Sequence, residues 1–154
     1  MEIEKPQVVE GIAECLGNTI VLYFKAHGHH WNVTGSDFKE YHDFFGEIAS
    51  DVYGSVDEMA EEIRKLGAPA PFRLYDFSSL STIEDAEVGF DGQSMIQDLL
   101  ASNEVLIASL DKLFMVASNE NEQGLADFVA GRISMQKKWR WQLKSSLKGG
   151  EQVY

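Results

Sequence analysis

The sequence predicts an all-α fold: a bundle of four long helices, with a short helix carried in one long connection. Three observations predict it. Apolar residues recur at spacings of three and four along four separate segments, as on the buried face of amphipathic helices. The chain's three prolines, Pro6, Pro69 and Pro71, fall at the edges of those segments. No segment alternates like a strand, and there is neither repeat nor low-complexity tract. At 154 residues with 44% hydrophobic content, the chain suits one core and one domain spanning residues 1–154.

The first helix begins near Pro6 and buries Val9, Ile12, Leu16, Ile20 and Tyr23. Thr34-Gly35-Ser36 breaks it. Ser36 is the expected N-cap of the second helix, with Asp37 favouring the positive helix start. Phe38, Tyr41, Phe45, Ile48, Val52, Val56, Met59, Ile63 and Leu66 then predict one long second helix of about thirty residues, ending at Gly67-Ala68-Pro69. Residues 68 to 91 are the least regular, and Ser78 to Glu84 is the expected crossover helix. Met95, Leu99, Ser102, Leu106, Leu110 and Leu113 mark a third helix. After a turn at Asn119 to Gln123, a fourth carries Leu125, Phe128, Ile133, Met135, Trp139 and Leu143.

Chemistry concentrates at the first turn. All four histidines, His27, His29, His30 and His42, lie within sixteen residues. Histidine is the commonest metal-binding side chain, and with carboxylates it suits iron or zinc. His30 lies about five residues before the turn and His42 about seven after it, so the two are level across the helix hairpin. Asp57 and Glu61, spaced i, i+4, share a helix face. Along a straight helix they lie ~22 and ~28 Å from His42, so one ion cannot reach both groups within a single chain. If they act together, the carboxylates come from another subunit across a two-fold axis, which generates two equivalent sites. Taken alone, the acidic pair reads more readily as solvated helix charge.

The stretch from Ala26 to Gly67 resembles the signature of Dps, the starvation-protection miniferritins. In that family a His-Trp-Asn motif ends the first helix, a second His follows twelve residues on, and a D-x-x-x-E pair follows fifteen and nineteen residues later. His30-Trp31-Asn32, His42, Asp57 and Glu61 match each element. The resemblance implies a ferritin-like four-helix bundle, a hollow shell of twelve subunits, and ferroxidase sites at two-fold interfaces that oxidise Fe(II) and store ferric iron. Hydrogen peroxide is the expected oxidant, and His30, His42, Asp57 and Glu61 are the expected core ligands. The chain departs at Gly46, where the family usually places an aspartate ligand four residues after the second histidine. Glu47 is turned ~100° away on a regular helix and is a poor substitute. The family often has a lysine at the position of His27, one turn before His30. His27 is therefore read either as a replacement ligand, using the space left by Gly46, or as a neighbour bonded within the interface. His29 points to a different face. Trp31 is either an electron donor beside the site or an interface anchor.

Composition sets the rest. No apolar run is long enough for a membrane span, and the polar start Met1-Glu2-Ile3-Glu4-Lys5 does not read as a signal peptide, so a cytoplasmic protein is expected. Cys15 is the single cysteine, expected to be a buried thiol. A net charge of −12 disfavours phosphate backbones and suits cations. Lys137, Lys138, Arg140, Lys144 and Lys148 read as a solvated face rather than a DNA site, and neither end offers the lysine-rich tail of DNA-compacting relatives. The resemblance offers Glu120, Glu122 and Asp127 as a cation entry pore, while Asp43 and Glu47 read either as cavity-facing carboxylates that nucleate mineral or as simply hydrated side chains. The competing function is a non-enzymatic shell whose altered site holds zinc or nothing. A ferritin with metals inside one bundle is disfavoured, because the Glu-x-x-His motif is absent.

Overall fold

The computed structural model describes residues 2–150, and among them every long element is a helix. These are α1 (Pro6–Asn32), α2 (Phe38–Gly54), α3 (Val56–Lys65), α4 (Leu74–Leu80), α5 (Gly92–Asn119) and α6 (Gln123–Ser145). Pro6 opens α1 at a position where its missing N–H costs nothing. Asp91 caps α5, its side chain accepting from the Ser94 N–H at 2.9 Å. The apolar stripes meet in one core, with Ile12, Leu16, Phe45, Ile48, Met95, Leu99, Leu106 and Leu110 fully buried. Burial of each such side chain contributes about 1.5–3 kcal/mol.

The predicted second helix is interrupted. α2 ends at Gly54 and α3 starts at Val56, with Ser55 between them. The Ser55 hydroxyl and N–H both bond to the Val52 carbonyl, at 2.7 and 3.2 Å. In a regular helix that carbonyl would serve the N–H of residue 56. Ser55 keeps helical dihedrals, so α2 and α3 remain successive parts of one arm, both packed on α1. The arm, α1, α5 and α6 are the four walls of the bundle. Phe44 and Asp51 of α2 meet Trp139 and Arg132 of α6, closing the fourth side.

The crossover helix sits earlier than expected, at Leu74–Leu80 rather than Ser78 to Glu84. The hydroxyl residues are used elsewhere. Buried Asn18 accepts from the Ser81 hydroxyl at 2.8 Å and the Thr82 N–H at 2.7 Å, holding that stretch against α1. Gly17 permits the approach, because a Cβ there would lie 2.9 Å from the Ser81 nitrogen. The expected cap at Ser36 is also displaced: Asp37 takes the N-cap position and makes no side-chain capping bond. Met1 and residues 151–154, where the sequence shows no lysine-rich tail, lie outside the described residues.

Candidate metal centre

The centre is built where α1 ends and α2 begins. Because α1 stops at Asn32, the His30 carbonyl is one of the terminal acceptors a helix leaves unpaired. His42 Nδ1 supplies it with a donor at 2.6 Å. The bond is returned, since His30 Nδ1 lies 2.5 Å from the His42 carbonyl. A carbonyl oxygen only accepts, so both Nδ1 atoms carry a proton, and in the neutral imidazole the lone pair for a metal is then on Nε2. The two imidazoles stack with centroids 3.8 Å apart and planes 15° apart, and Phe38 covers the other face of His42 at 4.9 Å.

His27 lies one turn before His30, its ring 5.7 Å from that of His30 and 4.4 Å from Trp31. Its Nδ1 is 3.2 Å from the Tyr23 hydroxyl, and Tyr23 in turn contacts the ring of Tyr53 at 4.9 Å. Tyr23, His27, His30 and Tyr53, with Asp43, Gly46 and Glu47, line an open depression of about 630 Å³. The space beside Gly46, expected to serve His27, is occupied by the His30 ring. A Cβ at residue 46 would lie 2.8 Å from His30 Nδ1. Sequence reasoning overlooked Tyr23 and Tyr53, although the i, i+4 spacing of Tyr23 and His27 was a signal for that pair.

Asp57 and Glu61 stand elsewhere, exposed on α3. The protonated Glu61 carboxyl donates a hydrogen bond to Asp57, and with the negative charge of Asp57 this raises the Glu61 carboxyl above its ordinary value of 4.5. A divalent cation would replace that proton. Among the described residues, no group of three or more histidine, cysteine, aspartate or glutamate side chains is placed to hold a metal within the single chain. The structure therefore brings the histidines together and the two carboxylates together, but not the two sets.

The ferritin-like domain model matches residues 9–153 of the chain. Dps from Thermosynechococcus elongatus superposes with a TM-score of 0.90 at 26% identity, over 96% of this chain and 94% of that one. The chain is a ferritin-like protein of the Dps family. A Dps protein from Vibrio cholerae O1, described as a member of a broad superfamily of ferritin-like diiron-carboxylate proteins, gives a TM-score of 0.88 at 27% identity over 93% of this chain and 90% of that one. DNA protection during starvation protein 2 of Bacillus anthracis is 26% identical over 92% of this chain and 97% of its own length.

Other charged groups of this Dps chain are occupied internally. His29 Nε2 is 2.8 Å from Asp98, whose other oxygen accepts from buried Lys25 at 2.9 Å. Burial alone would raise the Asp98 carboxyl, but the bonds from His29 and Lys25 outweigh it and hold it below the ordinary value of 3.8. Glu122 pairs with Lys5 at 2.6 Å and Glu120 accepts from Gln7 at 2.7 Å, whereas Asp127 stays exposed. Asp43 pairs with Lys39 at 3.0 Å. On the basic last helix, Arg140 lies 3.6 Å from Glu104, while Lys137 and Lys138 are exposed. Cys15 is buried, and burial pushes its thiol up to about 12, which makes it inert as a nucleophile.

Proposed function

We propose that this protein oxidises Fe(II) at sites shared between subunits, with hydrogen peroxide as oxidant, and stores the ferric product in a hollow shell of twelve subunits. The observation that carries the reading is the stacked His30–His42 pair with both Nε2 lone pairs free. An imidazole lone pair lies in its ring plane, so two nearly parallel rings cannot direct both lone pairs at one ion. They address two ions. Two ions held side by side are the arrangement of two-metal redox and hydrolytic sites. Asp57 and Glu61 of a second subunit would supply the oxygen donors that this half-site lacks.

Apolar groups left uncovered by the single chain support association. Trp31 beside the site is 60% exposed, Tyr53 57%, and Phe72 on the crossover 82%. Such side chains are favoured in interface cores. In the chemistry, two Fe(II) substrates each lose one electron, and hydrogen peroxide with two protons becomes two waters. No hydroxyl radical is released, because both electrons arrive together. His27 joins as a further ligand when its Nδ1–H donates to the Tyr23 oxygen, which leaves its Nε2 free. Asp43 and Glu47 at the depression would draw cations inward.

A second reading, favoured by the bare Gly46, is a shell whose histidine-rich site retains zinc without redox chemistry. One carboxylate fewer weakens the hold on Fe(III) and favours zinc as a competitor. The deciding experiment adds Fe(II) anaerobically, then peroxide or oxygen, and follows the ferric absorbance band. Rapid oxidation, faster with peroxide and lost in His30→Ala and Asp57→Ala, supports the ferroxidase. Tight zinc binding without accelerated oxidation supports the alternative.

A further inference from the structure

We infer that Gly46 is a positioning residue for the His30–His42 pair, and not simply the place where a ligand is missing. The inference rests on the reading of these histidines as metal ligands and deepens it. In a regular helix the His42 carbonyl already accepts the N–H of residue 46, four positions on. His30 must reach the second lone pair of that carbonyl from the side, directly over residue 46. An added Cβ would stand 2.8 Å from His30 Nδ1, 3.0 Å from Cε1 and 3.6 Å from Cγ. The atom it strikes first is the nitrogen that donates to His42.

A ring that yields to the added Cβ moves its Nδ1 off the His42 carbonyl. His42 stacks on it at 3.8 Å and His27 lies 5.7 Å away on the same side of α1. Displacement would break the bond that fixes the His30 tautomer and would move Nε2 relative to its neighbour. Partners that orient a metal-binding imidazole typically change metal affinity ten- to a hundredfold when lost. Glycine here therefore exchanges one carboxylate for a locked imidazole pair. A side chain restored at this position, even an aspartate, would unlock it.

The test compares Gly46→Ala and Gly46→Asp with wild type in the assembled full-length protein. Gly54→Ala serves as a control, since a Cβ there meets nothing within 4 Å. Ring ¹⁵N NMR of the metal-free protein reads the tautomers of its four histidines. His30 and His42 should show a protonated Nδ1 and bare Nε2 in wild type and Gly54→Ala, while His30 should lose that signature in both Gly46 variants. Co(II) titration should show affinity falling by about tenfold or more in Gly46→Ala, with Gly46→Asp no better. Unchanged His30 ring signals in Gly46→Ala, or wild-type Co(II) affinity despite changed signals, would overturn the inference. So would tighter Co(II) binding by Gly46→Asp. If wild type and His30→Ala bind Co(II) equally, the ligand reading fails instead, and the ring signals still decide whether Gly46 positions His30.

Discussion

His42 caps the helix that carries His30: its Nδ1 donates to the His30 carbonyl at 2.6 Å, at the point where α1 runs out of partners of its own. One histidine thus ends a helix and presents a ligand nitrogen. His42→Ala should therefore weaken metal binding and also lower stability by about 1 kcal/mol, the typical net worth of one hydrogen bond. Urea unfolding of the metal-free protein separates the two effects. A loss of metal binding with unchanged stability would show that the cap contributes nothing.

Asp98 should matter for folding rather than for metal. Its carboxylate neutralises Lys25, which is buried and also donates to Ser102 at 3.1 Å. Asp98→Ala leaves that ammonium without its counter-charge and should cost about 3 kcal/mol. Lys25→Met combined with Asp98→Leu should recover much of the loss, as measured by denaturant midpoints.

Acid should unfold the protein through the same kind of group. Asp51 is partly buried, which alone would raise its carboxyl, but bonds from Arg132 and Trp139 bring it below the ordinary value of 3.8, and Asp98 behaves likewise. A lowered folded-state value means both carboxylates stabilise fully above the unfolded value of 3.8 and lose that contribution as pH falls through it toward their folded values. Stability should therefore drop below about pH 4, and the drop should be shallower in Asp51→Asn and Asp98→Asn. Denaturant melts from neutral to acid pH check the slope.

The DNA-protection name of a relative should not extend to tight DNA binding by this chain. Its net charge is −12, and Arg140 of the basic helix already faces Glu104. Little counterion release is available to drive association. A gel shift at ~150 mM salt should show no complex, and a tight one would direct attention to Lys137 and Lys138.

Most of the fold was legible because helix periodicity is a local signal: Ile12, Leu16, Met95 and Leu99 are buried where their spacing places them. The break at Ser55 was not, because it depends on which donor takes the Val52 carbonyl, and apolar spacing is the same either way. The crossover helix was misplaced because Ser81 and Thr82 serve Asn18, more than sixty residues earlier. The histidines were legible as a cluster through their spacing. The bond of His29 to Asp98 spans 69 residues and left no local trace, although the helix face did separate His29 from His30. Gly46 was visible only as a departure from a motif. Its close approach to His30 is a property of two packed helices.

The central claim is that each metal site takes its histidines from one subunit and its carboxylates from another. Co-assembly of His42→Ala subunits with Glu61→Ala subunits tests it directly. In an equal mixture half the two-fold pairs are mixed, and each mixed pair carries one intact site and one doubly altered site, so about a quarter of sites should be restored. The account predicts peroxide-driven Fe(II) oxidation at about a quarter of the wild-type rate in co-assembled shells, well above either parent or a blend of pre-formed shells. A co-assembled rate no higher than that blend would contradict it.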